Sequence, residues 1–159
     1  LIRDVFREGK SMLQFEKYFK ETAMQLWKDQ TLLGNFVNNH DQPHFLYKNN
    51  NWEGFKSALV FSLSVVGIPI IYYGDEQGFS GGFHESYHPE ACREPLWPEM
   101  EFNSEIYKYL KTIIKFRNDT KCYMERQVQR YADDKFYAFT RGKYFFAFTN
   151  SKTHEVRTI

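Results

Sequence analysis

Apolar positions first recur at helical spacing. Met12, Phe15, Phe19, Ala23 and Leu26 fall three or four residues apart, which predicts a helix over residues 11–29, with Ser11 and Gln14 in a capping-box pattern. A short apolar run over residues 32–38 follows and stops in the polar string Asn38-Asn39-His40-Asp41. Such a run predicts a buried strand that delivers side chains at its carboxyl end. Phe55, Leu59, Leu63 and Val66 then form one stripe, predicting a helix over residues 52–66 that ends at Gly67, with Trp52 anchoring its start. Residues 68–73 form a second continuous apolar run, stopped by Gly74; Pro69 must sit where its missing N–H does no harm. Tyr72 and Tyr73 are expected to pack within the sheet layer. Ile106, Leu110, Ile113 and Arg117 share one side of a third helix over residues 103–118.

Helix, strand, helix, strand, helix argues for parallel strands joined by helical crossovers. The period then changes. Short alternating runs at 128–131, 136–140 and 144–149 predict an antiparallel ribbon, its last two strands joined through Arg141-Gly142-Lys143. The fold class is therefore α/β, with an antiparallel β module starting near residue 122. Residues 75–100 hold Gly78, Gly81, Gly82, His84 and His88 in a connection far longer than most, a length often associated with function.

Composition sharpens this only in part. Rings make up 19% of the 159 residues, which suits an aromatic core and equally a sugar- or base-stacking cleft. Lys plus Arg number 21 and Asp plus Glu 20, a net charge of +1, so a polybasic nucleic-acid surface is not the theme. No apolar run is long enough to span a membrane. Cys92 and Cys122 are either one bridge or two free thiols and make no metal set. His84 and His88, with Glu85 and Glu90 near, sit in a Gly-rich loop that does not enforce helical spacing, so metal ligands are not expected among them. Asn118-Asp119-Thr120 matches the N-glycosylation acceptor pattern. The chain opens on Leu1 and stops just after a strand-like run, which suggests a segment of a longer unit.

The sharpest local constellation is Asn38-Asn39-His40-Asp41. In α/β folds, ligands bind beyond the carboxyl ends of parallel strands, where an imidazole and a carboxylate both suit vicinal hydroxyls. The alternative is a loop-capping cluster in which Asp41 satisfies backbone N–H groups.

The segment from Leu33 to Pro43, containing Asn38-Asn39-His40-Asp41-Gln42-Pro43, resembles the last of four signature regions of the α-amylase superfamily of glycoside hydrolases. Gly67-Ile68-Pro69-Ile70-Ile71-Tyr72-Tyr73-Gly74-Asp75-Glu76-Gln77-Gly78 is similar to the eighth barrel strand of that family. Gly81-Gly82, followed by Arg93-Glu94-Pro95-Leu96-Trp97, resembles the next loop in fungal-type α-amylases. The resemblance implies a partial (β/α)8 TIM barrel, strands seven and eight with helices six to eight, followed by the start of an antiparallel β-sandwich domain. Residues 1–121 would be the carboxyl-terminal segment of the catalytic barrel and 122–159 the opening of the β domain.

By the same resemblance, Asp41 is the third catalytic carboxylate, holding hydroxyls of the distorted sugar. His40 hydrogen-bonds that sugar, and Arg93 lines the cleft one or two sugars away. The implied parent is a retaining endo-hydrolase of α-1,4-glucosidic bonds in starch or glycogen. The alternatives are an α-glucosidase, an oligo-1,6-glucosidase or a non-catalytic barrel partner. The nucleophile, the acid/base and the usual calcium site belong to upstream barrel segments that nothing here matches, so residues 1–159 alone are expected to be inactive and to need that remainder as partner. Within this segment no cofactor or metal is expected; the partner molecule is an α-glucan, not nucleic acid or membrane, and the compartment implied is secreted or lysosome-like. His44 stands where the fungal-type pattern has arginine. Glu76 is expected to make a structural hydrogen bond, and Trp97 to pack within its loop.

Overall fold

The computed structural model describes residues 1–82, 92–97 and 100–153. A short helix α1 (Ile2–Phe6) precedes a helical run built from α2 (Leu13–Lys17), a π turn (Tyr18–Thr22) and α3 (Ala23–Leu26). This run replaces the single helix expected at 11–29. Ser11 does not form the capping box: its Oγ accepts from Leu13 N–H at 3.3 Å, and the helix begins from Met12 without a side-chain cap.

Strand β1 (Gly34–Asn35) pairs in parallel with β2 (Ile68–Pro69). Ile68 N–H and Ile70 N–H donate to the carbonyls of Leu33 and Asn35, each at 2.8 Å. Pro69 lies between those two donors, so its lack of an N–H costs the ladder nothing. Both strands are shorter than the expected 32–38 and 68–73, and the apolar runs are only partly buried: Val37 is buried, whereas Leu32, Ile68 and Ile70 are exposed. A run becomes a buried strand only where a neighbour pairs with it and a layer covers it; among the described residues β1 and β2 pair only with each other.

Between the strands runs α4 (Trp52–Ser64), its first turn capped by Asn51 Oδ1, which accepts from Gly54 N–H at 2.9 Å. Ser104 Oγ caps α5 (Glu105–Thr120) in the same way through Tyr107 N–H, and Lys121, at φ 50°, ends that helix. Arg117 Nη1 ties α5 to the end of α4 by donating to Leu63 O at 2.6 Å, a cation among the free carbonyls of a helix terminus. The acceptor pattern at Asn118 lies within α5, with Asn118 exposed.

The expected ribbon is present as β3 (Gln127–Ala132), β4 (Phe136–Arg141) and β5 (Tyr144–Thr149), antiparallel in that order, with a register shift between Gln129 and Tyr131. Arg141 faces Tyr144 across a two-residue turn, and Gly142 supplies its positive φ of 57°. Arg141 is buried, but its three guanidinium nitrogens donate to the carbonyls of Ser64, Tyr123 and Glu125.

One continuous core joins these layers. Phe61 of α4 stacks on Phe15 of α2 with ring centroids 4.0 Å apart, and meets Phe148 edge-on at 5.1 Å and Tyr137 at 6.2 Å. The aromatic excess therefore goes largely into a ring cluster shared by the helices and the β ribbon. Cys92 and Cys122 are both buried free thiols. No helix among the described residues is long and apolar enough to cross a membrane.

Candidate active site

The chain leaves β1 through Phe36 and Val37, and its polar string starts at Asn38, which is buried. The Asn38 amide closes the following loop on itself: Oδ1 accepts from Phe45 N–H at 2.7 Å, and Nδ2 donates to Asp75 Oδ1 at 2.6 Å. Two arginines, Arg3 within α1 and Arg7 just after it, brace the loop. Arg3 donates to Asn38 Oδ1 at 3.3 Å and to the Pro43 carbonyl; Arg7 donates to the carbonyls of Phe45 and Tyr47, each at 2.7 Å. Carbonyls that no sheet or helix satisfies thus find charged donors.

At the loop tip the side chain of Asn39 accepts from Asp41 N–H at 2.9 Å, the local turn that loop capping requires. That task falls to Asn39, which leaves the Asp41 carboxylate facing outward. His40 Nε2 lies 3.3 Å from Asp41 Oδ1, with side-chain exposures of 61% and 69%. Arg93, far along the chain, reaches the same spot: Nη2 is 3.8 Å from Asp41 Oδ1, and Nε donates to His40 O at 3.3 Å. The structure therefore brings together all three residues singled out by sequence, at the carboxyl end of the parallel pair.

Other expectations divide. Glu76 accepts from Gly74 N–H at 3.0 Å across a turn in which Gly74 takes φ 91°. Trp52 begins α4 and meets Phe55 edge-on. Tyr72 packs against Tyr73 and His44, and burial pushes its hydroxyl up to about 12. Trp97, by contrast, is 81% exposed. Among the described residues no group of three or more His, Cys, Asp or Glu side chains could hold a metal ion. His84, Glu85, His88 and Glu90 lie outside the described residues.

Sequence reasoning passed over three supports of this site, Arg3, Arg7 and Asp75, and marked His44 only as standing in place of an arginine. The i, i+4 spacing of Arg3 and Arg7 was the available signal for the first two. Asp75 is buried, and desolvation raises its carboxyl from 3.8 to about 7; the hydrogen bonds from Asn38 and Tyr72 N–H and the nearby Arg3 oppose that rise, while Glu76 adds to it. Because the folded value is the higher one, folding takes up a proton across the window between 3.8 and about 7. The stability Asp75 contributes is complete below that window and lost as pH rises through about 7. Asp75→Asn should flatten this slope, read as urea midpoints on either side of the window. An unchanged slope would locate the titration elsewhere.

A βα unit with its polar cluster beyond a parallel strand is the architecture of barrel enzymes. The model of the α-amylase catalytic domain matches residues 8–156, and the chain belongs to that family of glycoside hydrolases. It is 32% identical over 151 residues to the β/α-amylase of Paenibacillus polymyxa, covering 89% of this chain and 12% of that protein. It is 41% identical over 112 residues to α-amylase 2 of Schwanniomyces occidentalis, covering 70% and 21%. Among solved structures, an α-amylase from Malbranchea cinnamomea superposes with TM-score 0.81 at 28% identity, covering 94% of this chain and 32% of that one. The chain thus spans about a fifth or less of the length of these curated relatives.

Proposed function

We propose that this chain closes the catalytic barrel of a retaining α-amylase that cuts internal α-1,4 bonds of starch or glycogen. The observation that carries the reading is the convergence of His40, Asp41 and Arg93 beyond β1. Residues 1–121 complete the barrel, and 122–159 begin the β domain. The upstream part supplies the nucleophile and the acid/base, which retaining hydrolysis places roughly 5–5.5 Å apart.

In this reading Asp41 accepts hydrogen bonds from adjacent hydroxyls of the sugar being cut. Its negative charge matters most as the ring flattens and gains positive charge. His40 binds the same sugar, and the Arg93 guanidinium reaches toward the neighbouring one. Support comes from the family membership and from the fungal amylases among the similar proteins.

The test is digestion of starch and maltoheptaose by the full-length protein, with products resolved by length and by anomeric form. Short oligosaccharides released in the α form are expected. Glucose alone, released from chain ends, would favour the α-glucosidase reading. Arg93→Ala should lower kcat/KM on maltoheptaose about tenfold and leave that on p-nitrophenyl α-glucoside nearly unchanged, since only the long substrate reaches beyond the central sugar. Equal losses on both would remove Arg93 from the outer cleft.

A further inference from the structure

The carbonyl oxygen of Cys92 is gripped from two sides. His44 Nε2 lies 3.2 Å from it, and the Tyr72 hydroxyl donates to it at 3.3 Å. A carbonyl only accepts, so the His44 proton sits on Nε2. Burial lowers the His44 pKa, which favours that neutral ring. The two rings lie face to face, with centroids 5.7 Å apart and planes 29° from parallel.

Three chain segments meet in this contact: the loop after β1, the stretch after β2 and the Arg93 loop. A second tie runs beside it. His44 N–H donates to Gly81 O at 2.9 Å, and Gly81 N–H donates to the Glu94 carboxylate. Both neighbours of Arg93 are therefore fastened, Cys92 by its carbonyl and Glu94 by its side chain. Arg93 itself is exposed and touches only the tip of the site loop among the contacts described above. The arrangement has a cost: His44 is 1% exposed, and its Nδ1 has no partner among the described residues.

We infer that His44 and Tyr72 are positioning residues: by holding the Cys92 carbonyl they aim the Arg93 guanidinium at Asp41 and so fix how the site grips the sugar beside the cut. This rests on the glucan-cleaving reading of the site. An arginine on a loose loop must order the loop as well as its own side chain on binding; a clamped backbone removes the loop's share of that ordering before substrate arrives.

The test is a double-mutant cycle in the full-length protein. Tyr72→Phe removes one hydroxyl and keeps the ring. It should lower kcat/KM on maltoheptaose about three- to tenfold, and Tyr72→Phe with Arg93→Ala should be no worse than Arg93→Ala alone, because Tyr72 acts through Arg93. His44→Gln, whose amide can donate near the Nε2 position, should keep most of the activity that His44→Leu loses. Single effects that multiply in the double variant would overturn the proposal. A crystal structure of the Tyr72→Phe variant decides independently of substrate: a guanidinium displaced from Asp41 supports the clamp, and one left in place refutes it. Absence of glucan cleavage by the wild type would defeat the proposed function, and that crystal structure would still judge the clamp.

Discussion

Asp41→Asn in the full-length protein should reduce starch turnover on the order of a hundred- to a thousandfold while leaving the fold intact. The carboxylate is exposed and, among the described residues, is within ion-pair distance of His40 and Arg93, so the substitution removes no buried contact there. On the proposed function it removes a negative charge from the place where positive charge would develop on the sugar, and preorganised electrostatic groups of this kind carry effects of that size. Because the interaction strengthens as the ring distorts, the loss should appear mainly in kcat. His40→Asn should cost less, about tenfold, as expected for one hydrogen bond. Near-normal turnover by the Asp41 variant, with the thermal midpoint unchanged, would remove the carboxylate from the chemistry.

The second large effect is on stability. Phe61→Ala should destabilise the protein by about 3–5 kcal/mol, since it opens a ring-sized cavity that stiff neighbours cannot fill. Phe61 is 1% exposed and touches rings from α1, α2, β4 and β5. Phe145→Ala, on the open face of β5, is the comparison: its ring is half exposed, and a change within about 0.5 kcal/mol is expected. Urea midpoints of the two variants check the pair; similar shifts would mean that the ring cluster does not hold the layers together.

Long stripes and local turns were legible in the sequence. The α4 and α5 spans, the three ribbon strands and the outward His40-Asp41 pair each follow from residues within one or two turns of one another. What escaped sequence reading is carried by partners far apart in the chain. A five-residue helix such as α1 shows no period, so Arg3 within it and Arg7 just after it offered only their spacing as a signal. Asn38 looks like any loop asparagine until Asp75, 37 residues on, receives its amide hydrogen. The apolar run at 68–73 promises burial, but burial depends on a neighbouring strand that composition cannot specify. Trp97 failed for a related reason, since a large ring packs only where the loop turns it inward.

The ring cluster also bears on synthesis. Phe15 and Phe61 leave the ribosome well before Tyr137 and Phe148, the rings that complete their enclosure. At ordinary translation rates the 76 residues from Phe61 to Tyr137 take roughly 4–15 s to add. Through that interval the last crossover helices carry an uncapped aromatic face, the kind of surface that chaperones hold and that stray chains join. Helices and ribbon are thus separate in topology and joined in birth order: their shared ring cluster closes only after the ribbon emerges.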